Sequence, residues 1–296
     1  MTSPLICVAP VGDRCGEAAT WCAAERALYW CDVNRFLIHR LGPEGEVRSW
    51  FFEEPVTALS LTDSPDEDLL VALGSRLILW RWRDDRRRDH GFSLSTWPRA
   101  RLNDGRAAPN GDFWIGSMGQ NVGPSGEALA CEPGQGELFR LRPGGAVNRE
   151  VAGIGISNTV CWSPDHRVFY FGDSQANCVW AYDYDPTSGA IGGRREFLMG
   201  FERGAPDGSA VDAAGRLWNC RFGGSCIVVV NPDGSLNQII EAPVRNITTC
   251  AFGGEDLTTL YITTAAMMTH EGDRLAGSLF ALQVDTPGLD GFVARL

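Results

Sequence analysis

Six stretches of this chain share one grammar: a strand of small residues, a polar turn, and a second strand with a bulky centre. They read EAATWCAAERALYWCD, TALSLTDSPDEDLLVAL, GRAAPNGDFWIGS, NTVCWSPDHRVFYFGD, GSAVDAAGRLWNCRF and TTCAFGGEDLTTLYITT. Aligning their second strands superposes Tyr29, Leu70, Trp114, Phe169, Trp218 and Tyr261, spaced 41, 44, 55, 49 and 43 residues apart. Short apolar runs between Gly, Pro, Asn and Asp turns are the pattern of an all-β chain. A period of roughly 40–50 residues is what a four-stranded propeller blade needs. The expectation is one domain over residues 1–296, a six-bladed β-propeller, rather than a pair of β-sandwiches without a repeat. After the last anchor only GSLFALQV and GFVARL read as strands, one short of a blade, while PLICVAP is spare at the N-terminus. Pairing the two ends of the chain would close the ring and remove two exposed sheet edges.

Composition then excludes several functions. The net charge of −11 disfavours a nucleic-acid partner, whose phosphates are neutralised by clustered Arg and Lys. All 26 basic residues are Arg, so no Schiff-base, pyridoxal-phosphate or P-loop lysine exists. The one basic concentration, RWRDDRRR over residues 81–88, carries its own Asp84 and Asp85 and reads as a solvated edge or turn. The ten Cys show no Cys-x-x-Cys or zinc spacing, and most lie in strand-like runs where a free thiol behaves as a small hydrophobe. Reduced thiols, an N-terminus without a basic and then apolar leader, and no run of 18 apolar residues point to the cytoplasm and away from a membrane.

Asn158 is the misfit that points to a site, because it opens the otherwise apolar run NTVCW. The innermost strands of a propeller all begin at one face of the central channel, so equivalent positions converge there. Asn158 lies 11 residues before its anchor, and the same step gives Asn103 and Asp207; a step of 12 from Tyr29 gives Glu17. Leu70 and Tyr261 lead instead to Leu59 and Cys250. Four blades thus place oxygen-bearing side chains at one end, two of them carboxylates that repel unless paired. A hard divalent cation resolves that repulsion and leaves coordination positions for water and substrate. The bland reading is that these residues cap strand ends. His39, His90, His166 and His270 fall in edge strands or turns, where they are expected at the surface rather than in the site.

The motifs GEAATW (16–21), RLNDGRAAPNGDFWIGSM (101–118), ISNTVCWSPD (156–165) and PDGSAVDAAGRLW (206–218) resemble, in order and over nearly the whole chain, the senescence-marker-protein/gluconolactonase or regucalcin-like family. That resemblance implies a propeller with one divalent ion in its channel, Ca²⁺, Zn²⁺, Mg²⁺, Mn²⁺ or Fe²⁺, hydrolysing a sugar-acid lactone such as glucono-, arabinono- or xylonolactone. By motif, Glu17, Asn158 and Asp207 would hold the metal, and Arg101 and Asn103 the substrate oxygens. Asp207 would double as the base, or a metal-activated water would attack without it; both readings stay open. The departure from the family is the long Gly- and Pro-rich segment GQNVGPSGEALACEPGQGELF, expected to form a flexible loop over the channel mouth. Within it Gln120 and Asn121 either touch the sugar or shape the loop.

A serine hydrolase is disfavoured, because the chain has no Gly-x-Ser-x-Gly elbow. The rivals are a non-catalytic binding or scaffold propeller, which has no reason to gather carboxylates in its channel, and a propeller esterase for aryl esters or phosphotriesters. Arg101 and Asn103 favour a polyhydroxylated small molecule over either. A monomer or weak homo-oligomer is expected.

Overall fold

A computed structural model describes residues 4–269 and 272–296. The described residues form six four-stranded antiparallel sheets, each built from consecutive strands except the last. Blades 1 to 6 begin with the inner strands Gly16–Cys22, Val56–Leu61, Ala100–Ala107, Ser157–Trp162, Ala205–Val211 and Asn246–Gly253. None of the helices is long and apolar enough to cross a membrane among the described residues.

The strand grammar has a packing cause. A second strand is covered on both faces by neighbouring blades, so it reads as a continuous apolar run rather than an alternating one. Ala27–Asp32 and Leu69–Leu73 are buried at every position, whereas the outer strand Val47–Phe51 is exposed or half-buried throughout. Tyr29, Leu70, Trp114, Phe169 and Trp218 all lie in the core. Tyr261 is only half-buried and stacks on Trp21 of blade 1, with ring centroids 5.7 Å apart.

The ring closes through its ends. The spare N-terminal strand Ile6–Ala9 pairs antiparallel with Leu279–Gln283 and becomes the fourth strand of blade 6. GFVARL, in contrast, joins no blade. The segment from Pro287 onward crosses the face of the ring where the inner strands end. It bonds Ala213 of blade 5 (Ala213 N–H to Pro287 O, 2.9 Å), then Leu257 of blade 6 (Gly288 N–H to Leu257 O, 2.9 Å). Ala294 then donates to Leu61 O at 2.8 Å in blade 2, and Arg295 to Gly111 O at 2.9 Å in blade 3. It is a strap rather than a strand, because its hydrogen bonds go to the ends of four blades.

All ten cysteines are free and seven are buried. The basic run lies at the rim of blade 2, where Arg86 and Arg88 pair with Glu67, and Arg83 with Glu25 and Asp68. His39 corrects the expectation of a surface histidine: it is buried, with Nε2 2.9 Å from Asp13 Oδ1 and Nδ1 2.6 Å from Ser49 Oγ. Its strand, Leu37–Leu41, sits inside the sheet, with His39 opposite Trp30 on one side and Ser49 on the other. His90 and His166 are half-buried, and His270 lies outside the described residues.

Candidate active site

The inner strands begin with a fault in their ladders. In blades 1, 3, 4, 5 and 6 the pairing with the second strand skips between Glu17 and Thr20, Leu102 and Gly105, Asn158 and Cys161, Pro206 and Ser209, and Ile247 and Cys250. A bulge of this kind ends strict alternation and re-aims side chains. The equal counting step conceals two different placements. Glu17 and Asn158 are the last paired residues before the bulge, opposite Cys31 and Gly172, while Asn103 and Asp207 are the first residues within it.

The residues after Glu17 and Asn158 adopt left-handed backbone, Ala18 at φ 58° and Thr159 at φ 56°. That conformation is costly for a β-branched residue and persists only where its surroundings hold it. Thr159 is held: its hydroxyl donates to Asp207 O at 2.6 Å and lies 2.9 Å from Ser209 Oγ. Backbone strain in blade 4 is thereby tied to the position of Asp207 in blade 5.

Asn103, Asn158 and Arg101 meet directly. Asn103 Nδ2 donates to Ser157 O at 2.8 Å and approaches Asn158 Oδ1 at 3.4 Å. Asn158 spends its own amide N–H on Ser174 Oγ at 2.8 Å, and Ser174 in turn donates to Pro206 O at 2.6 Å. This fixes which end of the Asn158 amide presents its oxygen. Arg101 is buried; its Nη1 donates to Asn103 Oδ1 at 2.7 Å and its Nε to Asn121 Oδ1 at 2.7 Å. Both partners are neutral amides, so the guanidinium charge has no carboxylate salt bridge among the described residues.

Glu17 and Asp207 complete the set. Burial pushes both carboxyls well above their ordinary range; for Glu17 the charges of Asp207 and Asp104 push further, and for Asp207 the next cause is Asp104. Backbone N–H groups of Ala18 and Gly208 pull the other way but are outweighed. Neither carboxylate has an ion-pair partner among the described residues. Two carboxylates and an oriented amide oxygen at the channel mouth are hard oxygen donors with excess negative charge. No group of three His, Cys, Asp or Glu side chains suited to an ion is found among the described residues.

Asp104 was not among the residues that counting back from the anchors singled out. It follows Asn103 inside the bulge, accepts the Val160 N–H at 3.3 Å, and has its pKa raised by burial. The available signal was two adjacent polar residues, Asn103 and Asp104, in a strand that should alternate.

The long segment after Met118 lies across the mouth. It folds on itself through Val122 and Ala128, and Gly126 accepts a 2.9 Å bond from Asn34 Nδ2 in blade 1. Gly126 has φ 77°, and a Cβ there would fall 1.8 Å from Asn34 O, so only glycine permits this docking. On the blade 4 side, Gln175 Nε2 donates to Cys131 O at 3.5 Å. Gln120 turns to its own loop, accepting the Val122 N–H at 3.1 Å, whereas Asn121 reaches Arg101.

Residues 15–266 match the family described as SMP-30/Gluconolactonase/LRE-like region. The chain is 35% identical over 288 residues to a pentonolactonase of Haloferax volcanii, covering 94% of each chain. It is 32% identical over 301 residues to a 6-deoxy-6-sulfogluconolactonase of Pseudomonas putida, covering 97% of each. The solved structure of a calcium-binding protein, regucalcin, from Agrobacterium tumefaciens superposes with a TM-score of 0.90 at 27% identity, over 99% of this chain and 98% of that one. With its six blades, its motifs and these full-length similarities in agreement, the chain belongs to the SMP-30/gluconolactonase family.

Proposed function

We propose that this protein hydrolyses a sugar-acid lactone, with one divalent cation held by Glu17, Asn158 and Asp207. The observation that carries the reading is a pair of carboxylates without ion-pair partners, Asp207 buried and Glu17 half-buried, beside an arginine whose only side-chain partners are amides. A cation fits that donor set because it removes the repulsion that burial makes expensive. When bound, it supplies positive charge that polarises the lactone carbonyl and steadies the developing oxyanion.

The protein's own groups do the rest. Arg101, Asn103 and Asn121 form a connected set of donors and acceptors that can exchange their mutual bonds for ring hydroxyls, which favours a polyhydroxylated lactone over an aryl ester or a phosphotriester. Arg101 also meets the carboxylate that ring opening creates. Asp207, beside the proposed ion, takes the proton of the attacking water. The loop over residues 120–135 limits water at the mouth. The names of the relatives, a pentonolactonase and a sulfogluconolactonase, agree with a sugar lactone as substrate.

Acid release from a panel of pentono- and hexonolactones, with and without chelator, tests the reading. Turnover of at least one aldonolactone, abolished by chelator and restored by a divalent ion, is expected. Full activity after verified metal removal would overturn the metal assignment, and no activity on any lactone with the metal present would overturn the substrate class.

A further inference from the structure

Asn158 and Asp207 come from adjacent blades, and one hydroxyl is bonded beside both. Ser174 follows the second strand of blade 4, Val168–Asp173. Its hydroxyl accepts the Asn158 Nδ2–H at 2.8 Å and donates its one proton to Pro206 O at 2.6 Å, the carbonyl of the peptide bond that leads into Asp207. Thr159, the residue after Asn158, donates to Asp207 O at 2.6 Å. The peptide units on both sides of Asp207 are therefore held by hydroxyls of blade 4.

The turn that delivers Ser174 is itself fixed. Its N–H donates to Ile156 O at 3.0 Å, and its carbonyl accepts the Asn177 N–H at 3.2 Å. The buried Asp173 carboxylate before it collects the N–H groups of Gly155 at 2.8 Å, Ile156 at 3.1 Å and Gln175 at 3.0 Å. Ser174 Oγ is thus a stationary acceptor to which the Asn158 amide must turn. An amide has two unlike ends, and only its oxygen can be a ligand; its NH₂ group is a donor. Asn103 Nδ2, 3.4 Å from Asn158 Oδ1, is too distant to make that choice firmly.

We propose that Ser174 is a positioning residue for the ion: it turns the Asn158 amide oxygen toward the site and ties that amide to the peptide carrying Asp207. This role rests on Asn158 and Asp207 being ligands, and adds to them a residue whose hydroxyl is spent on holding both. Groups that orient a metal ligand in this way typically carry about 10–100-fold in metal affinity. Because the role is the orientation of an amide, it exists only while residue 158 has unlike ends. A carboxylate offers oxygen either way round, so Ser174 matters little once Asn158 is replaced by Asp.

The test is calorimetric titration of the metal-stripped full chain with Ca²⁺ and with Mn²⁺, for the unaltered protein, Ser174→Ala, Asn158→Asp and the double variant. Ser174→Ala is expected to weaken binding about 10–100-fold, and Ser174→Thr, which keeps the hydroxyl, to retain most of the affinity. In the Asn158→Asp background Ser174→Ala should change affinity by less than about threefold. Equal losses in the two backgrounds would overturn the role, as would a lowered Tm in chelator with unchanged affinity. Binding by the unaltered protein that Ser174→Ala leaves intact overturns this role alone, whereas an unaltered protein that binds neither ion overturns the ligand assignment and this role with it. Should Ser174→Ala fail to fold, Ser174→Cys, which keeps the shape but only a weak donor and acceptor, is expected to weaken binding severalfold. Unchanged affinity in that variant would overturn the role.

Discussion

The inner strands that deliver Glu17, Asn103, Asn158 and Asp207 to one mouth of the channel finish at the other in Cys22, Leu61, Ala107, Trp162, Val211 and Gly253. The difference arises within single strands. At the first mouth all six ladders shift register, and Asn103, Asp104 and Asp207 fall within the unpaired steps while Glu17 and Asn158 are the last pairs before them. Beyond the bulges regular pairing resumes, the residues apart from Arg106 turn small or apolar, and the strap covers the exit. Chemistry is placed where the ladder is broken, and stability where it is intact; stored backbone strain at Thr159 belongs to the former and the packing of Phe252 under the strap to the latter.

The widest separation between the two ends should come from Asp207→Asn. It preserves size and one oxygen donor but removes the proton acceptor, and kcat is expected to fall roughly 10²–10⁴-fold even at saturating metal. Glu17→Gln removes the same charge without the proposed base, and excess metal should largely repair it. Steady-state kinetics across a metal titration checks both; equal, metal-repairable losses would make Asp207 a ligand only.

The same carboxylates should make the metal-free protein sensitive to pH. A carboxyl whose folded pKa is raised keeps its proton in the folded state after the unfolded chain has released it. The stability these two groups contribute is therefore greatest below the ordinary values of 4.5 for Glu17 and 3.8 for Asp207, and declines as pH rises through and above them. Added divalent ion should flatten or reverse that decline, because it binds the charged form. Melting curves from pH 4 to 8, with chelator and with metal, read this directly, and a chelated protein whose Tm shows no such fall would remove the mutual-repulsion argument.

A change at the strap should do the opposite, costing stability and sparing turnover. A Cβ on Gly288 would lie 1.9 Å from Phe252 Cγ, within a buried ring. Gly288→Ala is expected to destabilise by about 1–3 kcal/mol, the usual range for an overpacked core. Lactone kcat and KM at 25 °C should stay within about twofold of the unaltered protein. Denaturant unfolding beside kinetics checks the pair; a large loss of kcat in a folded variant would show that the two ends are coupled.

What the sequence disclosed divides along the same line. The six anchors were legible because each sits on a locally readable strand, and burial on both faces leaves a continuous apolar run. The convergence of Asn103, Asn158, Asp207 and Glu17 was legible only as spacing. The bulges shift Glu17 and Asn158 by one position relative to the others, and anchors of unequal register happened to absorb the shift. Asp104 was hidden because a strict two-residue period assigns it to the wrong face. His39 was misplaced because its partner Asp13 comes from outside its own strand, and the strap because its bonds reach four separate blades. Interactions between segments far apart in the chain leave no periodic trace in it.

The smallest expected effect is also the one that most sharpens the map of the site, because it compares two adjacent residues. Asn121 is bonded to Arg101 Nε at 2.7 Å, while the Gln120 side chain accepts a bond from Val122 in its own loop. Replacing Asn121 by Ala removes a partner that orients the guanidinium and a donor for a substrate hydroxyl. Its interactions are made in ground and transition states alike, so KM should rise by about tenfold with kcat little changed. Gln120→Ala costs one exposed-side loop bond, and KM should move by no more than about twofold, with a small loss of stability. Metal content should remain that of the unaltered protein in both. If Gln120→Ala instead produced the larger rise in KM, the loop would rearrange on binding and carry Gln120, not Asn121, to the sugar.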